Sequence, residues 1–394
     1  MRKIAIFSAF AVLVLSVWVG GHIYMVQRLV RDPGLPGGFA WLATAVIAVL
    51  GTLVVLAPLA ERYLPPRRAR LVVLPASVWI GFAFFLAVSL GASELLFGLL
   101  GAAATGTRDP QSAAAARAAL VTLAALTAGG MALVGGLRPP RYARTEIHLE
   151  RWPRALDGFR IVQISDIHIG ALLDRRFARE VTERVNALAP DLIVVTGDLV
   201  DGTVKHLAEE VAPFRDLRAT HGTFFVTGNH DYYSGADPWL EAVRGLGMRP
   251  LRNERVEIRV GDSAFDLAGV DDHRGYLFGP GHGEDVARAF AGRDPGRAIV
   301  LLAHDPSTFK AAAPLGVDLQ LSGHTHGGQI WPFGYLVRLA IKYVAGHYRE
   351  NEAQLLVSRG TGFWGPPMRL GSPSEIGEIV LRAPRAASSG GTDG

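Results

Sequence analysis

The sequence predicts an α/β domain with a substantially parallel sheet, preceded by an all-α transmembrane region of about four helices. Three observations carry this expectation. Four long apolar stretches fill residues 1–138. From about residue 145, short β-branched runs alternate with amphipathic helical patterns. Five short clusters of acid, amide and imidazole side chains follow apolar runs of that second half. At 394 residues, 49% hydrophobic and 19% charged, the chain is long enough for two structural units and more apolar than an ordinary soluble enzyme. It has no cysteine, which excludes disulfides and thiolate metal ligation.

The apolar stretches lie at 4–26, 39–60, 71–100 and 114–137. Crossing a hydrocarbon core of ~30 Å takes about 20 helical residues, so each is long enough. The first two carry no charge, and the third carries only Glu94, near its end. The fourth is Ala-rich and weaker, with Arg117 near its start, where a long side chain can snorkel. Met1-Arg2-Lys3 ahead of a hydrophobic run would also suit a cleaved signal peptide, but three further spans favour a retained anchor. His22, inside the first stretch, is expected at an interface rather than in a proton relay.

Residues 1–138 hold eleven Lys/Arg against four acids, leaving 29 basic and 32 acidic residues for the rest. The basic excess therefore sits beside apolar segments, as membrane topology requires, and a nucleic-acid partner is not expected. With the N-terminus inside, nine basic residues fall on the inner side (Arg2, Lys3, Arg62, Arg67, Arg68, Arg70, Arg138, Arg141, Arg144) and four outside (Arg28, Arg31, Arg108, Arg117). That bias predicts a multi-pass cell-membrane protein with a cytoplasmic second half.

Within 145–384, strands are expected at 159–165, 191–196, 223–227, 298–303 and 318–322, and further strands at 256–260, 264–270, 353–358 and 376–381. Helices are expected at 175–188 and 204–217, punctuated by Pro190 and Gly222. These are enough for two sheets packed face to face and flanked by helices, with the site at the carboxyl ends of the strands. The tail 385–394 is small and polar and is expected to be disordered.

The clusters are Asp166-Ile167-His168, Gly197-Asp198-Leu199-Val200-Asp201, Gly228-Asn229-His230-Asp231, Ala303-His304-Asp305 and Gly323-His324-Thr325-His326. In an extended segment residues two apart point the same way, so Asp166 with His168, and His324 with His326, are expected to reach one cluster. Glycines 197, 228 and 323 permit tight turns and close backbone approach. A carboxylate such as Asp198 can bridge two cations. Two cations about 3.5–4 Å apart lower the pKa of a shared water and clamp the oxygens of an in-line displacement at phosphorus. Each cluster alone is a weak signal, because D-x-H and G-D-x-x-D recur by chance. The five together, each just past an expected strand, point to a dinuclear centre. Mixed imidazole and carboxylate donors suit Mn, Fe or Zn better than Ca.

Through these residues the chain resembles the calcineurin-like metallophosphoesterases, across 158–330 by motif and 145–384 overall. It is similar to the bacterial subgroup with membrane segments before the catalytic domain, through Ser358-Arg359-Gly360-Thr361-Gly362, Pro367-Met368-Arg369 and Pro373-Ser374-Glu375-Ile376. Gly371-Ser372-Pro373-Ser374 departs from that subgroup's Asn-Pro-Pro form, and Phe363-Trp364 is bulkier than its pattern. The resemblance implies a four-layered αββα sandwich and a hydrolase acting on a phosphoester or pyrophosphate through a hydroxide bridging two metals. It implies one metal on Asp166, His168, Asp198 and His326, and a second on Asp198, Asn229, His304 and His324. His230 would protonate the leaving oxygen, and Asp201 would orient it.

Other readings stay open. Tethering favours a lipid-linked phosphate, while a phosphodiesterase or nucleotidase on soluble substrates remains the alternative. A non-catalytic membrane scaffold would have been expected to lose some of these residues. A transporter would need more intramembrane polar groups than Glu94 and His22. Asp231 and Asp305 are expected to brace loops. Asp271-Asp272-His273 could face substrate or form an exposed turn. Residues 335–348 could dock on a membrane or cap an acyl groove, or equally form a partly buried helix. Trp331-Pro332-Phe333 and Phe363-Trp364 could add aromatic surface for a lipid-like substrate, or could serve in the core. Oligomeric state is not legible.

Overall fold

The computed structural model describes residues 2–100 and 109–384, with side chains at 12–99 and 109–384. The expected tail at 385–394 lies outside the described residues. The chain divides into two compact units, Met1–Leu137 with Gly365–Met368, and Arg138–Trp364 with the residues from Arg369 onward.

The first unit is helical: α1 (Arg2–Val26), α2 (Gly37–Tyr63), α3 (Pro66–Leu100) and α4 (Pro110–Gly136). Four helices here are long and apolar enough to cross a membrane. Prolines mark the starts of α2, α3 and α4 (Pro36, Pro66, Pro110), where a missing N–H costs nothing, and Asp109 caps α4 by accepting the Ser112 N–H. The third helix begins ahead of its apolar run because Arg67, Arg68 and Arg70 are good helix formers. His22 is held inside the unit: Trp79 Nε1 donates to its Nε2 at 2.9 Å, and its Nδ1 lies 2.8 Å from the Trp18 carbonyl. Glu94 pairs with Arg28 at 2.9 Å and Arg117 at 2.7 Å and accepts from the Tyr24 hydroxyl, so these charges offset one another.

The second unit opens with β1 (Arg141–His148) and β2 (Phe159–Ile164), then α5 (Arg175–Ala187), β3 (Leu192–Thr196), α6 (Val204–Val211) and β4 (Thr223–Val226). Next come α7 (Asn229–Ser234), α8 (Ala236–Gly245), β5 (Met248–Pro250), β6 (Glu254–Val260), β7 (Ser263–Gly269), α9 (Val286–Phe290), β8 (Ile299–Leu302) and α10 (Phe309–Ala312). The chain closes with β9 (Leu319–Ser322), α11 (Phe333–Ala340), β10 (Gly346–Glu350), β11 (Ala353–Val357) and β12 (Glu375–Arg382). One six-stranded sheet runs β1-β12-β2-β3-β4-β5, and the other β10-β11-β9-β8-β7-β6. The central pairs β2-β3, β3-β4, β7-β8 and β8-β9 are parallel.

Three apolar cores stack these layers. Ile161, Val194 and Phe224 of the first sheet meet Phe265, Val300 and Leu321 of the second in one buried cluster between the sheets. On the outer face of the first sheet, Val162, Ile193 and Phe225 pack with Val181 and Val185 of α5, Leu207 of α6 and Trp239 of α8. On the outer face of the second, Ile299 and Leu301 pack with Phe290 of α9 and Phe309 of α10. The result is the αββα order, and alternating side chains along each strand explain why both faces are apolar.

Two differences from expectation have local causes. The helix expected over 204–217 ends at Val211 and continues as a 3-10 turn, Ala212–Asp216, because Pro213 cannot supply a helical N–H. Strands β1, β5 and β10 were not anticipated. The first is an edge strand with mostly exposed polar residues, the second is three residues long and ends at Pro250, and the third pairs Gly346 to Glu350 on another edge.

Candidate metal centre

The five clusters occupy the loops leaving the carboxyl ends of β2, β3, β4, β8 and β9. Their backbone is not extended. Asp166 (φ 52°), His168 (φ 52°), Asp198 (φ 53°), His324 (φ 73°) and His326 (φ 51°) are all left-handed. The expectation that alternation along an extended segment aims paired ligands is therefore corrected: tight left-handed loops do it. Such conformations cost of order 1–3 kcal/mol each for non-glycine residues and persist where surrounding contacts enforce them.

Those contacts are visible. The Asp166 N–H donates to Gly197 O at 3.0 Å and the His168 N–H to Asp198 O at 3.1 Å, lacing the first two loops together. His230 N–H donates to Asp198 Oδ1 at 2.8 Å, and His324 N–H to Asp166 Oδ1 at 2.9 Å. Asp231 accepts the N–H groups of Asp198, Leu199 and Gly228 at 2.9, 3.0 and 2.8 Å, so it ties its own loop to the one after β3. Asp305 caps its own turn through Ser307 N–H at 2.8 Å. Gly228 has to be glycine because a Cβ there would lie 2.2 Å from Asp198 Oδ1.

Acid and imidazole atoms converge in linked groups: Asp166 with His168 and His326, His168 with Asp198 and His230, and Asp198 with His304 and His324. His168 Nε2 stands 3.1 Å from His326 Nε2, which is 3.6 Å from Asp166 Oδ1. His304 Nε2 stands 3.2 Å from both Asp198 Oδ2 and His324 Nδ1. Asp198 thus belongs to both ends of the cluster. All these side chains are buried except His324 and His230, which are half-buried.

The donor set fits a pair of divalent cations on two grounds. Asn229 Oδ1 is buried and, among the described residues, has no hydrogen-bond partner, although such groups are almost always satisfied. The imidazoles are also oriented from behind. His304 Nδ1 lies 2.8 Å from the Thr196 carbonyl and His168 Nδ1 3.1 Å from Asp201 Oδ2, which puts the proton on Nδ1 and leaves each Nε2 lone pair facing the cluster. His326 differs. Arg369 Nη2 lies 3.2 Å from its Nδ1, and a guanidinium only donates, so the free imidazole carries its proton on Nε2 and must release it to accept a cation there.

Electrostatics follow the packing. Burial works against ionisation of Asp198, but the His304 and His230 imidazoles outweigh it and hold the carboxyl well below its usual range. Burial, then His168 and Arg369, push His326 well below an ordinary imidazole. His230 is opposed by burial yet raised to about 9 by Asp198 and Asp201. Its Nδ1 lies 2.7 Å from Asp201 Oδ1. Asp201 also holds His168, so one carboxylate orients two rings.

The sequence left the Asp271-Asp272-His273 turn open between two readings. Asp271 and Asp272 are buried. Asp271 takes a two-pronged contact from Arg252 at 2.9 and 2.7 Å. Asp272 is pushed up to about 6 by burial, against the attraction of His304. Sequence reasoning did not single out Tyr233, whose ring lies 5.3 Å from that of His230; the Trp364 ring lies 5.6 Å from the same imidazole. A signal existed: Tyr233 falls three residues after His230 at helical spacing.

Residues 159–328 match the family model described as calcineurin-like phosphoesterase. A Bos taurus protein, "Transmembrane protein with metallophosphoesterase domain", is 38% identical over 291 residues, covering 71% of this chain and 66% of that protein. An uncharacterized metallophosphoesterase of Helicobacter pylori is 38% identical over 251 residues, covering 62% of this chain and 65% of that protein. An uncharacterized metallophosphoesterase of Aquifex aeolicus is 36% identical over 245 residues, covering 61% of this chain and 92% of that protein. The match spans just under two thirds of the length of the first two. Four apolar helices and a relative named as a transmembrane protein suggest a membrane protein.

Proposed function

Because the chain belongs to the calcineurin-like metallophosphoesterase family, whose members use two divalent metals, we propose that it is a membrane-anchored phosphohydrolase cleaving a phosphoester or pyrophosphate bond. The observation that carries this reading is the convergence on Asp198 of side chains from five loops, with the orphaned Asn229 Oδ1 beside them. Asp166, His168, Asp198 and His326 would hold one cation, and Asp198, Asn229, His304 and His324 the other. When bound, two such cations activate water and neutralise phosphoryl oxygens.

The chain's own residues supply proton transfer. His230 keeps its Nδ1 proton on Asp201, so Nε2 faces outward and carries the proton destined for the leaving oxygen. The carboxylates that raise it toward 9 keep it protonated at neutral pH, and bound cations would oppose that shift. Asp201 works as a positioning residue. Tyr233 and Trp364 each set a ring edge-on to the same imidazole, at 5.3 and 5.6 Å.

The substrate reading is a lipid-linked phosphate presented at the bilayer, with the catalytic unit on the cytoplasmic side. Four potential membrane helices support the first part, and nine inner against four outer basic residues the second. The test uses purified full chain, metal analysis and turnover of p-nitrophenyl phosphate esters, cyclic nucleotides and lipid pyrophosphates in micelles. Asp198→Ala is expected to lose metal. His230→Ala is expected to keep it while turnover falls about 10²–10⁴-fold. Equal metal content in wild type and Asp198→Ala would reject the cage. Good activity on soluble nucleotides with none on any lipid phosphate would reject the lipid reading alone.

A further inference from the structure

We propose that the aromatic and aliphatic surface formed by Trp331, Tyr335, Leu336, Leu339 and Trp364 docks on the headgroup interface of a lipid bilayer. No residue of α11 is buried, although most are apolar. Leu339 is 84% exposed, and the other four side chains are each more than half exposed. Soluble surfaces rarely gather large apolar side chains in this way without a partner.

The patch is one surface rather than two stray loops. Gln329 clamps the Trp364 segment twice, donating Nε2–H to the Trp364 carbonyl at 2.9 Å and accepting the Trp364 N–H at 3.0 Å. The Trp331 N–H then donates to Leu370 O at 2.8 Å just before the helix begins. The Gln329 side chain and the Trp331 backbone therefore tie both tryptophan segments to the stretch that leads into α11, and both rings stay more than half exposed.

The occupant follows from chemistry on the same chain. Trp and Tyr with neighbouring Leu are the side chains that favour the membrane interface, and Arg338 on the same helix is exposed and suits anionic headgroups. The chain carries four helices long and apolar enough to cross a membrane. Gly365–Met368, directly after Trp364 in sequence, belong to the same compact unit as those helices. A bilayer is thus the one apolar partner always at hand. Docking would place the Trp364 side of His230 at headgroup level, and it does not depend on hydrolysis occurring.

The absence of native cysteine makes the test direct. Leu339→Cys and Leu336→Cys, each carrying a nitroxide, are reconstituted as full chain in phosphatidylcholine bilayers containing phosphatidylglycerol. Collision with oxygen and with a water-soluble nickel chelate is compared with two references, Asp262→Cys in an exposed turn and Leu120→Cys on an exposed helix face. The expected oxygen-to-nickel ratio at 339 and 336 is several-fold above that at 262 and moves toward that at 120. A ratio equal to that at 262 overturns the proposal. Protection from both reagents with dipolar broadening between labels also overturns it, by assigning the face to a second copy of the chain.

Discussion

Asp201 shows how much a single residue can organise: its carboxylate reaches Nδ1 of both His168 and His230, fixing the tautomers of a candidate ligand and a candidate acid at once. Residue types were legible because imidazole and carboxylate runs have little reason to follow a buried strand. Their aim was not, because left-handed φ at Asp166, His168 and Asp198 depends on hydrogen bonds from loops far away in sequence. Away from the centre, His273 Nδ1 lies 2.6 Å from Glu284 Oε1. Burial opposes its charge, but that hydrogen bond outweighs it and raises the imidazole above its ordinary value. A raised folded pKa stabilises fully below the unfolded value of about 6.5, and the gain disappears as pH rises through the folded value. With the side chain 44% exposed, the effect is expected to stay under about 1 kcal/mol. Thermal unfolding of wild type and His273→Gln should differ more near about pH 5.5 than near about pH 9. An identical difference at both would contradict the pairing.

At the scale of elements, strand ends were predictable because parallel β-strands buried on both faces read as short continuous apolar runs. The edge strand β1 escaped because its pairing is decided by β12, contributed from distant sequence, whereas β10 is one arm of a hairpin with the following β11 and escaped because its residues are mostly polar and half exposed. The loops between strands tolerate little change. A Cβ on Gly323 would stand 2.0 Å from Ser165 Oγ and 2.2 Å from Asp166 Oδ2. Overpacking of this kind costs about 1–3 kcal/mol, and here the strain falls on a candidate ligand. Gly323→Ala is therefore expected to lose bound metal and destabilise the chain. Gly91→Ala, with nothing within 4 Å of the added carbon, is expected to keep metal content unchanged. Metal analysis of the two purified variants checks this, and equal retention would count against the crowding.

For the whole molecule, the outcome to expect concerns sidedness. A reporter active only in the cytoplasm, fused after Gly394, should work, because nine basic residues flank the expected inner ends and four the outer. Signal only from an external reporter would reverse the orientation. Four helices of spanning length, the alternating α/β half and the chemical nature of the candidate ligands were determined by the sequence itself, since apolar periodicity and side-chain chemistry are short-range properties. Tertiary structure alone decided that five loops meet at Asp198, that Asp201 serves two imidazoles and that, among the described residues, Asn229 Oδ1 is left without a partner and none covers α11. Each of these depends on contacts between segments tens to hundreds of residues apart, and no local pattern encodes which surfaces such contacts bury and which they leave open.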